Sequence, residues 1–336
     1  MKRIGLMGCG TVAGYGHLPA LQECDRLELV SIFDPDEGRL AAAKDKFGVP
    51  NAFTDAAAFF ESGLDAVTIT SPAPRHIDNV RDAVRYGKHI LCEKPLAMND
   101  AEANEMIRLT GEAGLMLFTG FMRRFGPEER KIKELIEQRA VGDVRSIRMI
   151  YIWNCHGRYQ IDENGKRIEQ PRRAGRMLEG GPMVDCGVHD IDLARWWLGS
   201  EVVQHQAAGA WVEDYEAPDH VYVHLDHANG AHTMVEISYT YCHTAKDPVH
   251  FFSYDLIGTE GVMHFDGVQG LLEVRSSQAT ERFHYGSAKN FVGMYTEFAH
   301  AIETGQPGNM PTAQDGLIAT RIARTATEHI IANRPR

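Results

Sequence analysis

The chain has 336 residues, 43% of them hydrophobic, which is enough for two domains with a core in each. Its 35 basic and 46 acidic residues leave a net charge of -11, which opposes nucleic acid and anionic membranes as general partners. No apolar run reaches the roughly 18 residues of a membrane span, and MKRIGLMGCG runs straight into a glycine turn rather than a cleavage site, so a cytoplasmic location is expected.

Residues 3 to 8 form a short apolar run that meets Gly8-Cys9-Gly10-Thr11-Val12-Ala13, a G-x-G-x-x-A turn between a strand and a helix. Gly8 permits the tight turn, Gly10 lets backbone approach a pyrophosphate, and Ala13 lets the helix close on the strand, with Thr11 and Val12 at the helix start. A second strand, Leu27 to Phe33, ends in Asp34, where a dinucleotide site places its ribose-binding carboxylate. A carboxylate accepts from a 2'-hydroxyl and repels a 2'-phosphate, and no Arg or Lys follows Asp34 immediately, so NAD is expected over NADP. Gly14, Gly16 and Pro19 predict a short or broken first helix.

Helices are predicted over 37–47, 56–61, 75–86 and 100–113, alternating with strands over 65–70, 88–92 and 115–120. That alternation means a doubly wound parallel sheet with ligands at the carboxyl ends of its strands. Two ends are chemically loaded: one runs into Ser71-Pro72-Ala73-Pro74-Arg75-His76, the other into Glu93-Lys94-Pro95. Ser71, Pro72, His76, Glu93 and Lys94 are therefore expected to border the cofactor, and the Lys94 ammonium suits polarising a substrate oxygen. Arg123 and Arg124, past the last strand end, are candidate substrate ligands or partners for acidic neighbours.

A helix over 125–139 follows. From Val144 apolar and polar residues alternate, with strands predicted over 144–154, 202–212, 220–226, 232–241, 251–258, 261–265 and 271–275 in an open antiparallel or mixed sheet. The polar segment 154–176, with an Asp162-Glu163-Asn164-Gly165 turn and Arg172, Arg173 and Arg176, reads as a specificity loop or an oligomer arm. In GGPMVDCGVHDIDLARWWL (180–198), Val184, Val188, Ile191, Ala194 and Leu198 make one helical apolar stripe. Asp185, His189 and Asp192 make another beside it. Such a helix suits acid/base chemistry at a pocket border, or a core helix whose histidine is satisfied by a neighbour. The six cysteines (Cys9, Cys24, Cys92, Cys155, Cys186, Cys242) contain no C-x-x-C pair, and the histidines lack metal spacing, so free thiols and no metal are expected.

GCGTVA, HLPAL (17–21), DAVTITSPAPRH (65–76), GKHILCEKPLA (87–97), the motif from Gly180 to Asp192 and QDGLIATRIARTATEHI (314–330) together resemble the Gfo/Idh/MocA family of sugar and polyol dehydrogenases. The resemblance implies an N-terminal Rossmann domain, placed at 1–122, and a C-terminal α+β domain at 123–336 that binds substrate and assembles dimers or tetramers through its sheet. The C-terminal helix is expected to pack back on the first domain. Carried onto matching positions, the family's EKP lysine is Lys94, its catalytic-helix aspartate Asp185 and the histidine one turn on His189. Ala73 stands where the family often has asparagine, while His76 matches the motif's histidine.

These residues describe an NAD(P)-dependent oxidoreductase moving hydride between nicotinamide and a secondary alcohol or lactol of a sugar or polyol. His189 is the expected base, Asp185 its orienter, and Lys94 the donor to the reacting oxygen; His189 and Asp185 also touch substrate. An enzyme that recycles bound NAD during epimerisation, glycoside hydrolysis or aldose-to-aldose transfer would use the same residues. A non-enzymatic nucleotide-binding regulator is the third reading.

Overall fold

The protein is described here by a computed structural model covering residues 1–152, 159–161, 164, 166–169, 171–241, 249–286 and 289–334. In the first part of the chain, apolar runs of three to seven residues bounded by turns form β1 (Lys2–Met7), β2 (Leu27–Phe33), β3 (Asn51–Phe53), β4 (Ala66–Ile69), β5 (His89–Cys92) and β6 (Leu117–Thr119). All pair in parallel, in the order β3-β2-β1-β4-β5-β6. Alternation sends successive side chains to opposite faces. Ile4, Leu6 and Leu91 join one apolar cluster, and Met7, Val67, Ile69, Ile90 and Cys92 join another. The helices α1 (Leu18–Glu23), α2 (Glu37–Phe47), α3 (Ala56–Phe60), α4 (His76–Arg85) and α5 (Asp100–Glu112) connect the strands. Asp36 caps α2 by accepting from Arg39 N–H at 2.8 Å, and Asn99 caps α5 through Glu102 N–H at 2.9 Å.

The first helix is short and interrupted, as Gly14, Gly16 and Pro19 predict: from Thr11 it passes through a wide π-turn at Ala13–His17 that contains both glycines, and continues as α1 for six residues. Gly16 fits because a Cβ there would meet the Phe291 ring at 2.7 Å.

The following part holds α6 (Pro127–Glu137), β7 (Val144–Ile152), the short pair β8 (Tyr159–Ile161) and β9 (Arg167–Glu169), α7 (Pro171–Leu178) and α8 (Val188–Leu198). Then come β10 (Val202–Ala210), β11 (His220–His227), β12 (His232–Ser238), β13 (Phe251–Gly258), β14 (Gly261–Asp266), β15 (Leu271–Ser276) and β16 (Thr280–His284). Eight of these strands form one sheet in the order β10-β11-β12-β7-β13-β14-β15-β16, antiparallel except where β12 pairs β7 in parallel. Its burial alternates strictly along β11, as expected of a sheet with one face on a core. The chain ends with α9 (Phe291–Thr304) and α10 (Ala313–Ala332).

Met1–Gly126 and Lys289–Ile318 form one unit, and Pro127–Ala288 with Ala319–Arg336 the other. The division thus falls at Gly126 rather than at 122, and a late segment returns to the first unit. The return has a plain cause. Phe291, Met294, Tyr295, Phe298 and Ile302 repeat at helical spacing, and all are buried in the cluster that contains Ile4, Leu6 and Leu18. Within 154–176, expected to be a loop, the described residues include β8, β9 and the start of α7. Cys155, Cys242, most of the Asp162–Gly165 turn, and the side chains of Arg172 and Arg173 lie outside the described residues. No helix among the described residues is long and apolar enough to cross a membrane.

Candidate active site

β1 lies between β2 and β4, the position where chain direction divides and where an open parallel sheet leaves a crevice for ligand. Gly8, just past β1, has φ +100°, and a Cβ on it would stand 2.7 Å from Ser71 N. The turn is braced from β4: Thr70 Oγ1 donates to Gly8 O at 2.7 Å. Gly10 is different, because a Cβ there would meet nothing within 4 Å. That open space beside the helix start, with Thr11 exposed and Ala13 buried, fits the diphosphate of a dinucleotide.

Asp34 follows β2 and is 3% exposed. Cys9 N–H donates to its Oδ2 and Asp36 N–H to its Oδ1, each at 2.8 Å, so the carboxylate is tied to the glycine turn and to the cap of α2. Burial, then the charge of Asp34, pushes the Cys9 thiol up to about 12, which keeps it protonated and unreactive. A third partner was not legible: Arg39 places Nη2 3.2 Å from Asp34 Oδ1 and Nε 3.4 Å from Oδ2. Its signal would have been an Asp cap three residues earlier, which turns Arg39 in the first turn of α2 back toward the strand end.

At the ends of β4 and β5, Ser71 is half-buried and Pro72 exposed, while His76 is 1% exposed. The imidazole of His76 joins two loops: Nε2 is 2.9 Å from Ser71 O, and Nδ1 is 3.0 Å from Pro95 O. Burial lowers its pKa and outweighs the carbonyls that favour the cation. His76 therefore braces the loops that follow β4 and β5 against each other. Glu93 is also enclosed. Its Oε1 takes His17 Nε2 at 2.9 Å, its Oε2 takes Lys94 N–H at 3.1 Å, and His17 Nδ1 meets Tyr295 Oη at 2.7 Å. Burial works to raise Glu93, but His17 and Lys94 more than offset it and leave the pKa lowered, so it stays ionised. Lys94 itself is half-buried at the carboxyl end of β5, followed by a cis bond to Pro95. Arg123 is half-buried; Arg124 is buried with its guanidinium 3.4 Å from Asp315, an ion pair that accounts for it without substrate.

In the second unit the stretch from Gly180 is helical but not uniform. Met183–Gly187 is a second π-turn, and α8 begins at Val188. Such turns recur at functional sites. The expected amphipathic border is a helix buried on most sides. Val184, Val188, Ile191 and Ala194 are fully buried, and so are Asp190 and Asp192 to within 1%, while His189 is half-buried. Asp185, 7% exposed, is held by two groups from other elements: Tyr239 Oη donates to Oδ2 at 2.5 Å, and Arg176 Nη1 lies 3.1 Å from Oδ1. Burial, then the neighbouring Asp185, raises Tyr239 well above a phenol's usual range, which keeps it the donor. Arg176 also pairs Glu179 at 3.2 Å. Gly180 and Gly181 answer to packing: both have positive φ, and Cβ atoms there would meet Val184 at 2.6 Å and Ala217 at 2.9 Å.

Residues 2–121 match the oxidoreductase family described by an NAD-binding Rossmann fold, and residues 130–264 match the Gfo/Idh/MocA C-terminal domain. The chain belongs to the Gfo/Idh/MocA family. It is an oxidoreductase with NAD as cofactor, and residues 2–121 are its NAD-binding Rossmann half. Among its relatives in the family, the myo-inositol 2-dehydrogenase of Thermotoga maritima is 28% identical over 98% of this chain and 96% of that protein. The NAD(+)-dependent scyllo-inositol 2-dehydrogenase of Bacillus subtilis is 28% identical over 77% of this chain and 72% of that one. A probable dehydrogenase from T. maritima shares the fold with TM-score 0.81 at 26% identity, over 99% of this chain and 97% of that one.

Proposed function

We propose that this Gfo/Idh/MocA oxidoreductase acts on a secondary alcohol or lactol of a polyol or sugar, with Lys94, Asp185 and His189 as its catalytic side chains. The observation that carries the reading is that relatives named inositol dehydrogenases align over almost the whole chain, and that all three side chains stand at their motif positions. NAD supplies the hydride acceptor when bound. His189 takes the hydroxyl proton, because an imidazole titrates near working pH. Lys94 donates to the oxygen as negative charge develops on it. Asp185, kept in place by Tyr239 and Arg176, supplies the negative charge that favours a protonated His189. Arg123 retains the substrate-facing assignment of the arginine pair.

The same reading makes the protein a cytoplasmic homo-oligomer that pairs through its eight-stranded sheet. Cys9, Cys24, Cys92 and Cys186 stand outside any disulfide, which suits a reducing compartment. Exposed Tyr222, Ile257 and Val262 lie on that sheet beside charged residues, a surface of the kind that assembles.

The test is a panel of polyols, sugars, sugar acids and sugar phosphates incubated with NAD or NADP, reading nicotinamide reduction. An uncharged polyol or sugar should reduce NAD, and Lys94→Met and His189→Asn should each lower kcat at least about a hundredfold. Full turnover in His189→Asn would remove its assignment as base. Nicotinamide that stays with the purified protein and is never reduced by any of the panel would overturn the reading.

A further inference from the structure

Asp34 is held from two directions. Cys9 and Asp36 fix it through backbone N–H groups, bonds that do not use the Arg39 side chain, while Arg39 also pairs with Asp36, Nη1 to Oδ2 at 3.6 Å. Arg39 grips the same carboxylate in a two-pronged fork, but its side chain is 55% exposed, so this arm of the arrangement is the weakly held one.

We infer that Arg39 is a specificity-determining residue of the cofactor site: paired with Asp34 it offsets the carboxylate's charge, and released from it, it takes a phosphate on the ribose 2'-oxygen. The inference rests on the reading that Asp34 faces the adenosine ribose. A carboxylate alone repels a 2'-phosphate, whereas a guanidinium fork matches one with two parallel hydrogen bonds. The two side chains therefore pull selectivity in opposite directions, and the discrimination of this chain is their difference. Asp34 favours NAD; Arg39 admits NADP. A site with Asp34 alone would exclude NADP strongly, while the pair gives a modest preference for NAD.

Direct titration of NADH and NADPH by calorimetry or protein fluorescence, with no substrate present, tests this on the full chain and on Arg39→Ala, Asp34→Ser and the double variant. Arg39→Ala should keep NADH binding within about threefold and weaken NADPH at least about tenfold. Asp34→Ser should weaken NADH and tighten NADPH about tenfold, and the double variant should lose that gain. Equal weakening of both cofactors in Arg39→Ala, or an NADPH gain that survives in the double variant, would overturn the inference. An Asp34→Ser protein that binds NADH as tightly as the parent shows instead that Asp34 is not at the ribose, and the inference falls with that reading. Because Arg39 is exposed, Arg39→Ala folds whether or not Asp34→Ser does, and its NADH-to-NADPH ratio decides the matter alone.

Discussion

His17 Nε2 lies 2.9 Å from Glu93 Oε1, and both side chains are buried. The contact joins the helix after the glycine turn to the strand end that presents Lys94, and Tyr295 of α9 completes it from the other side of His17. Replacing His17 with Ala leaves Glu93 buried without its imidazole, which should cost about 3 kcal/mol in denaturant unfolding. Combining it with Glu93→Gln should cost clearly less than the sum of the two single changes, since both remove one interaction. Additive losses would show that the contact holds nothing together.

Gly8 and Gly10 make contrasting predictions two residues apart. Gly8→Ala puts a Cβ against Ser71 backbone at a φ of +100°, and should destabilise the protein by about 2 kcal/mol or more. Gly10→Ala meets no protein atom within 4 Å, so thermal unfolding should be unchanged while NADH binding weakens at least about tenfold. Unaltered NADH affinity in Gly10→Ala would mean that the open space is not the diphosphate's.

Tyr239→Phe removes one hydroxyl and keeps the ring. Because that hydroxyl donates to Asp185, the variant should fold normally and lose about tenfold in kcat/KM, the value of one strong hydrogen bond to a charged group. The loss should depend on pH, since Asp185 then holds its charge less firmly. A kcat/KM profile superimposable on the parent's would separate Tyr239 from the chemistry.

Stability should fall on the acid side of neutrality. Burial lowers the pKa values of His76, His89 and His227 from the usual 6.5. The unfolded chain then binds protons first as pH drops, so their contribution is fully present above 6.5 and is lost as pH falls toward the lowered folded values. Asp82 and Asp219, raised by burial from 3.8, work in the opposite sense. A melting temperature that is flat from about pH 8 to 7 and declines steadily toward about pH 5.5 is expected. His76→Gln should show a shallower decline, and a rise in stability over that interval would contradict the assignment.

The nucleotide half was legible because its signals are local. The alternation of short strands with helices implies the parallel sheet, and Glu37–Phe47 appears where periodicity puts it, as Phe251–Gly258 does in the other unit. What escaped depends on distance. Tyr295 reaches His17 across 278 residues and Tyr239 reaches Asp185 across 54, and no spacing rule connects them. β3 is three residues long, too short to show a period, and α7 sits in a stretch whose polarity reads as loop. The helix of Asp185 and His189 was found as a helix, but its π-turn was not, because the repeat of apolar residues continues through it.

The most direct test of the account is to follow the hydrogen. A polyol identified by the panel, carrying deuterium at the carbon of its reacting hydroxyl, should pass that deuterium to the reduced nicotinamide and turn over more slowly than the protium compound. Reduced nicotinamide that contains only protium would contradict hydride transfer from the carbinol carbon, and with it the roles given to Lys94, Asp185 and His189.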